Sequence, residues 1–101
     1  MSSDTFGLVF EERLGHRVAV LSGELDSAAA HGLADRLTAD EDAALVVDLS
    51  ALTFISAAGV GEILQAKREL ELDGTPLVLL GADGMVRRVF GILQMNELLA
   101  D

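Results

Sequence analysis

Residues 44–72 read ALVVDLSALTFISAAGVGEILQAKRELEL, a pattern that predicts a buried strand followed by a helix. Its first part, residues 44–49, is almost wholly apolar, which is typical of a strand that is paired on both edges and covered on at least one face. A short loop is predicted over residues 50–55. Apolar residues then recur at helical spacing and predict an amphipathic helix over residues 57–72. These residues are Val60, Ile63, Leu64 and Leu70.

Two strands are predicted upstream of this stretch. Phe6, Leu8 and Phe10 alternate with other residues at period two, which is typical of a half-buried strand. Residues 17–22 form a second apolar run, which Gly23 is expected to break. Because only a short polar connection separates the two runs, we expect them to form a hairpin.

Further helices and a strand are predicted on either side of the central stretch. Residues 27–38 carry apolar side chains at helical spacing, and Asp26 or Ser27 can serve as the N-cap of that helix. Leu77–Leu80 is a short apolar run that predicts a fourth buried strand. Asp83 can cap a third helix over the apolar stripe that follows it.

The predicted order is therefore β-β-α-β-α-β-α, within a single domain over residues 1–101. Strands that alternate with helices are usually parallel neighbours joined by right-handed crossovers. The initial hairpin adds an antiparallel edge. The sequence thus predicts the α/β class, with a mixed, mostly parallel sheet of four to five strands covered by helices.

The charge of the chain excludes several classes of partner. Among its 101 residues 7 are basic and 17 acidic, giving a net charge of -10, which repels nucleic acid and disfavours an anionic membrane surface. Half of the residues are apolar, which excludes a disordered chain. No apolar run approaches the roughly 20 residues of a spanning helix, and residues 1–4 lack the basic region of a secretory signal. No membrane insertion and a cytoplasmic location are therefore expected.

The sequence predicts no catalytic residue, metal site or cofactor. Without cysteine there is neither a thiol nucleophile nor a thiolate zinc site. His16 lies beside the predicted hairpin and His31 lies off the apolar stripe of a helix, and neither accompanies a nucleophile signature. The run Asp40-Glu41-Asp42 is interpreted as a solvated turn, because it lacks the alternating ligands of a calcium loop. We therefore do not expect an enzyme.

Two closely spaced glycines, Gly59 and Gly61, lie near the start of the central helix. Free N–H groups and the helix dipole can hold an anion at such a place, so a small-ligand or nucleotide site is one hypothesis. The P-loop lysine and the third glycine of a dinucleotide fingerprint are missing, which makes this signal weak. The other interpretations are that the glycines permit close packing of helix on sheet, or that they let another protein approach the backbone.

The residues ahead of these glycines are small. Ser56 is a good N-cap, and Ala57 and Ala58 follow it, so the helix begins with a smooth surface of low relief. A glycine inside a helix costs about 1 kcal/mol relative to alanine, and a chain that tolerates this cost is consistent with a surface kept clear for docking. The alternative is that this end of the helix lies beneath the protein's own loops.

Three segments together resemble the STAS domain, a family typified by bacterial anti-sigma factor antagonists. They are GELD at residues 23–26, VVDLS at 46–50 continuing into LTFI at 52–55, and AGVG at 58–61. The sequence VRRVF at residues 86–90 is similar to the family's third helix. Each segment alone is a weak signal, but they occur in the family's order over nearly the whole chain.

The resemblance implies partner switching. Members of the family bind a kinase-like anti-sigma factor and so free a sigma factor, and phosphorylation of a serine at the start of the second helix releases the partner. The family pattern there is commonly Asp-Ser-Ser/Thr-Gly, whereas this chain has Ser56-Ala57-Ala58-Gly59. The acceptor position is Ala57, which cannot be phosphorylated. Ser56 is a candidate substitute acceptor, although its role as an N-cap is the stronger interpretation.

The same resemblance implies which residues contact an anti-sigma factor or a similar serine-kinase-like partner. They are Asp26, Ser56, Ala57, Ala58, Gly59 and Val60. Because the acceptor serine is missing, the alternative is a non-switching subunit of a larger assembly, such as a lipid-transport complex or a stress-signalling scaffold. The sequence leaves open whether the chain is a monomer or a homodimer.

Overall fold

The computed structural model describes residues 5–39 and 44–101 of the chain. Over these residues it contains four strands, four α-helices and one turn of 3-10 helix. In chain order they are β1 (Gly7–Arg13), β2 (His16–Leu25), α1 (Ser27–Ala30), α2 (Leu33–Leu37), β3 (Leu45–Ile55), α3 (Ala57–Leu72), β4 (Leu77–Leu80), α4 (Gly84–Ile92) and the 3-10 turn (Asn96–Leu98). The order matches the sequence prediction, except that one predicted helix is divided in two.

The four strands form one sheet in the order β1-β2-β3-β4. β1 and β2 form an antiparallel hairpin, whereas β2 pairs with β3 and β3 with β4 in parallel. Near the end of the chain Leu99 forms an isolated bridge to Leu79 of β4. Helical crossovers join the parallel strands, as the alternation of strands and helices predicts. The α/β class and the mixed, mostly parallel sheet are thus confirmed.

The core lies between one face of the sheet and the helices. Leu45, Val47 and Leu49 of β3 are buried while the residues between them are not, which is the period-two pattern of a sheet covered on one side. From α4, Val86 and Phe90 join the same cluster of buried side chains, and Phe90 is completely buried. The helices therefore cover the face of the sheet to which Leu45, Val47 and Leu49 of β3 point.

The helix predicted over residues 27–38 is instead two short helices, separated at His31 and Gly32. Gly32 has a φ of 77°, a left-handed conformation that glycine adopts readily and that interrupts the helix. α2 has no N-cap side chain of its own. The Glu62 carboxylate on α3 accepts a hydrogen bond from the Ala34 N–H at 2.8 Å, which satisfies one of the free amides of α2. The break lets both short helices contact α3.

β2 and β3 are both longer than predicted. Gly23 does not end β2. Its φ of 77° accompanies a shift in the register between β2 and β3, and the strand continues to Leu25. The loop predicted over residues 50–55 is also wrong, since β3 runs unbroken to Ile55. Irregularities of this kind bend a strand without ending it. As a result the two strands end side by side, with Leu25 in register with Ile55.

The β1–β2 turn holds Leu14 in a conformation that suits asparagine better. The two-residue turn has positive φ at both positions, 52° at Leu14 and 82° at Gly15, as a type I′ turn requires. Leu14 is also 99 % exposed, so it contributes no packing. We expect Leu14→Asn to raise the free energy of unfolding by about 0.5–1 kcal/mol, measured by urea denaturation. The β-branched Leu14→Val should lower it, and a ranking with valine above asparagine would contradict this interpretation.

Candidate functional site

The carboxyl ends of β2 and β3 bring two helix starts together. Asp26 follows Leu25 and Ser56 follows Ile55, and the Ser56 N–H donates a hydrogen bond to the Leu25 carbonyl at 2.9 Å. α1 and α3 therefore begin next to each other at one edge of the sheet. In open α/β sheets this edge is where binding sites commonly form.

The residue that precedes each of the two helices caps it with a side-chain oxygen. The Asp26 carboxylate accepts a hydrogen bond from the Ala29 N–H at 2.8 Å, and the Ser56 hydroxyl oxygen accepts one from the Gly59 N–H at 3.1 Å. The predicted N-caps Asp26 and Ser56 are thus confirmed. The Ser56 side chain is half-buried and already engaged in the cap, which favours a structural role for this hydroxyl.

The small residues at the start of α3 divide into an exposed pair and a buried pair. Ala57 and Ala58 are exposed, but Gly59 and Val60 are buried, and Val60 is only 1 % exposed. A Cβ atom on Gly59 would lie 2.8 Å from Leu25 Cγ, so glycine is needed for the close approach of α3 to the end of β2. The prediction that Gly59 and Val60 face a partner is therefore corrected: they support the exposed surface from behind.

We call the accessible part of this site the docking surface and define it as Asp26, Ser56, Ala57 and Ala58. It is flanked by a groove of about 420 Å³ between α1 and α3. The residues that line this groove are Ser27, Ala30, His31, Ala58, Gly61, Glu62 and Gln65. A second groove, of about 510 Å³, is lined by Asp26 together with residues such as Phe6, Glu24 and Arg36. Partner contact at the docking surface stays a prediction.

Glu62 is the residue of this region that the sequence analysis missed. Its carboxylate reaches from α3 to the N-terminus of α2, and it also lines the groove beside the docking surface. The acceptor and donor are 28 residues apart in the chain. A pattern of neighbouring residues cannot predict a contact over this separation. The sequence indicates only that Gly32, which precedes α2, has no side chain that could cap this helix.

The described residues give no catalytic or metal constellation around the docking surface. His16 lies at the start of β2 and His31 follows α1, and both are exposed. Within residues 5–39 and 44–101, no group of three or more His, Cys, Asp or Glu could hold a metal ion. Asp40, Glu41 and Asp42 lie outside the described residues. In the same part of the chain no helix is long and apolar enough to cross a membrane.

Among the residues that the structure describes, the carboxyl with a shifted pKa is that of Asp48, which lies on β3 away from the docking surface. Burial acts to raise the pKa of Asp48, but hydrogen bonds from the Ser50 hydroxyl and amide and from Arg13 outweigh burial and lower the pKa below its ordinary 3.8. The Arg13 Nη1 donor lies 2.9 Å from Asp48 Oδ2. A depressed carboxyl pKa stabilises the fold above the unfolded value, and this contribution is lost as the pH falls through the folded value.

We therefore expect Asp48→Asn to lower the free energy of unfolding at pH 7 by roughly 0.5–1 kcal/mol, since the ion pair is partly exposed to solvent. The deficit in the free energy of unfolding should narrow as the pH drops below about 4, where the carboxyl of the unfolded wild-type chain becomes protonated, and it should vanish once the pH has fallen through the lower pKa of the folded state. Urea unfolding of both proteins across this pH range measures the difference. A deficit that stays constant down to the lowest pH would show that charge at Asp48 is not its cause.

Comparisons with known proteins find the same fold. The STAS domain family model matches residues 8–100. The Bacillus anti-sigma factor antagonist SpoIIAA, in its unphosphorylated form, superposes with a TM-score of 0.78 and 25% identity over 94% of this chain and 87% of that one. An anti-sigma factor antagonist from Mycobacterium paratuberculosis gives a TM-score of 0.82 and 24% identity over 98% and 86%. A sulfate transporter family protein from Wolinella succinogenes superposes with a TM-score of 0.66 and 21% identity, over 89% of this chain and 75% of that one. No curated protein matches significantly.

Proposed function

Because this chain belongs to the STAS domain family, we propose that it is a regulatory binding module that acts as an anti-sigma factor antagonist. It binds a kinase-like anti-sigma factor through the docking surface and so frees a sigma factor for transcription in the bacterial cytoplasm. It works by binding alone and is not an enzyme. The similarity in fold and sequence to SpoIIAA supports this function.

The observation that carries the proposal is the exposure of Ala57 and Ala58 beside Asp26. Methyl side chains add little relief, so a partner can approach the first turn of α3 closely. The Gly59 N–H of that turn is capped by Ser56, but the N–H groups of Ala57 and Ala58 have no acceptor within the helix and can donate to an acceptor on the partner. Asp26 supplies a negative charge at the edge of the same surface.

The absence of a hydroxyl at position 57 determines how the module is regulated. A phosphate at this exposed position would add a charge of roughly -1.5 to -2 next to Asp26, and it would disrupt a closely packed interface by bulk and desolvation. Ala57 cannot receive it, and the Ser56 oxygen is held as the cap of α3. We infer that the chain stays in its binding-competent form when its partner kinase is active.

The phosphorylation step can be restored to test this function. We expect Ala57→Ser to acquire one phosphate when incubated with the kinase-like anti-sigma factor and ATP, because the new hydroxyl lies at the exposed acceptor position. The wild-type chain should stay unmodified while binding the same partner. Intact mass and peptide mapping measure both. A phosphate on wild-type Ser56 would contradict the inference that the chain stays in its binding-competent form. Failure of the wild-type chain to bind this partner would contradict the proposed function.

A second candidate function is a non-switching subunit of a larger assembly, such as a lipid-transport complex or a stress-signalling scaffold. Two observations favour it: Ala57 removes the acceptor, and the fold is shared with a sulfate transporter family protein. Co-purification from the native cell distinguishes the two functions. A kinase-like protein bound to the chain supports the first, and a transporter ATPase supports the second.

A further inference from the structure

The groove between α1 and α3 opens directly beside the docking surface. Its volume of about 420 Å³ lies within the range of cavities that hold a ligand or a long side chain. Ala58 belongs both to the docking surface and to the lining of the groove. A protein that binds the docking surface can therefore place one of its side chains in the groove.

Gly61 lines this groove, and the fold itself does not require a glycine there. A Cβ atom added to Gly61 would meet no atom of the described residues within 4 Å. Glycine is less favourable than alanine inside a helix, so neither packing nor helix propensity accounts for it at this position. Gly61 is exposed, and any side chain on it would reduce the free volume between the two helices. The glycine thus keeps the groove open.

The groove presents a carboxylate without a matching positive charge. Glu62 lines it, whereas no lysine or arginine is among the described residues that do so. Glu62 Oε1 accepts the hydrogen bond from the Ala34 N–H at 2.8 Å, and within residues 5–39 and 44–101 no other hydrogen bond or ion pair engages this carboxylate. Its second oxygen is available to a donor that enters the groove. Ser27 and Gln65 add oxygen atoms that can accept further hydrogen bonds.

This arrangement suits an organic cation better than a metal ion. A metal ion generally takes several carboxylate or imidazole ligands, and the part of the chain that the structure describes offers no such group of three. A lysine ammonium or an arginine guanidinium needs one carboxylate and a few neutral acceptors around it. The net charge of -10 also attracts a basic group from a distance.

We propose that the groove receives a basic side chain, lysine or arginine, of the protein that binds the docking surface; the identity of that protein rests on the proposed function. Glu62 then has two roles, since Oε1 caps α2 and the other oxygen binds the partner. Because the α2 cap holds the carboxylate in place before binding, little conformational entropy is lost when the partner arrives. A partner without a basic group at this place leaves the carboxylate desolvated and unpaired, which makes Glu62 a residue that determines specificity.

Two substitutions that remove the same charge test this role. Glu62→Gln keeps a side-chain oxygen for the Ala34 N–H, and Asp73→Asn removes a carboxylate from the exposed C-terminal end of α3, away from the groove. In calorimetric titrations with the purified kinase-like anti-sigma factor, we expect Glu62→Gln to weaken binding at least about tenfold and Asp73→Asn less than about twofold. Raising NaCl above about 0.1 M should weaken binding of Asp73→Asn more than binding of Glu62→Gln.

Filling the groove is a second test that leaves the charge unchanged. Gly61→Leu places an aliphatic side chain between α1 and α3, and leucine is a better helix former than glycine, so the midpoint of thermal unfolding should not fall. We expect the variant to bind the anti-sigma factor at least about tenfold more weakly than the wild type. Unchanged affinity would show that no side chain of the partner enters the groove.

A small probe separates this inference from the proposed function. Nα-acetyl-lysine amide carries an ammonium group, and Nα,Nε-diacetyl-lysine amide is its uncharged match. In the labelled full chain, the charged probe should shift the amides of Gly61, Glu62 and Gln65 along a saturating curve, with a Kd on the order of 10 mM. The uncharged probe should not shift them, and neither probe should shift them in Glu62→Gln.

The two sets of measurements fail in different ways. A wild-type chain that does not bind the anti-sigma factor but responds to the charged probe would contradict the proposed function and support the preference of the groove for a basic side chain. Equal binding of the anti-sigma factor by Glu62→Gln and the wild type, or equal responses of these two chains to the charged probe, would overturn the inference.

Discussion

Replacing Ala57 by glutamate is expected to weaken binding of the kinase-like anti-sigma factor by at least about 100-fold, or about 2.7 kcal/mol. Ala57 is exposed at the first position of α3, in the middle of the docking surface. A carboxylate there must be desolvated beneath the partner and lies next to Asp26, which has the same sign of charge. An uncompensated charge in a packed interface costs a few kcal/mol. Calorimetric titration with the purified anti-sigma factor measures the change.

The loss of binding would not reflect unfolding. A carboxylate in the first turn of a helix interacts favourably with the helix dipole, by about 0.3–1 kcal/mol, so the variant should be at least as stable as the wild type. Ala100→Glu is a matched control, because Ala100 is exposed beside β4 and outside the docking surface. It should bind normally. Wild-type affinity in Ala57→Glu would place the interface elsewhere on the chain.

Two alanine substitutions only two residues apart are expected to change stability in opposite directions. On Gly59 the added Cβ would lie 2.8 Å from Leu25 Cγ and 3.0 Å from Ile55 Cγ1, so α3 must shift away from the sheet. On Gly61 it would meet nothing within 4 Å. We expect Gly59→Ala to lower the free energy of unfolding by about 1–2 kcal/mol through overpacking. Gly61→Ala should raise it by about 0.5–1 kcal/mol, because alanine favours the helix.

Thermal unfolding of the two variants measures this difference. A change of 1 kcal/mol moves the midpoint of a domain of this size by roughly 4–8 °C, so the two midpoints should lie about 6–24 °C apart. The comparison distinguishes the two explanations for the glycines, which are close packing of α3 on the sheet and access of another protein to the backbone. Equal stabilities would mean that α3 has room to relax at Gly59 and that the packing interpretation fails there.

The order of strands and helices could be predicted from the sequence because each element has a recognisable pattern of apolar residues. Continuous apolar residues in β3 and helical spacing in α3 arise from burial on one or both faces, and each is visible within a short window. The caps Asp26, Ser56 and Asp83 were also predictable, since a short polar side chain before an apolar stripe is a local signal.

The parts that the sequence analysis missed depend on contacts between distant segments. Gly23 was expected to end β2, but pairing with β3 carries the strand past it. Gly32 was hidden within a helical pattern, and the Glu62 carboxylate that satisfies the next helix lies on another element. Whether Ala57 and Val60 are exposed or buried was likewise undecided, because it depends on how close α3 lies to the end of β2.

The most direct measurement of the central claim is an amide chemical-shift titration of the labelled chain with its kinase-like anti-sigma factor. The largest shift changes or line broadening are expected at Ala57 and Ala58, followed by Asp26, whereas the amides of β4 should change little. Tight binding that leaves these three amides unperturbed would show that the partner binds elsewhere on the chain.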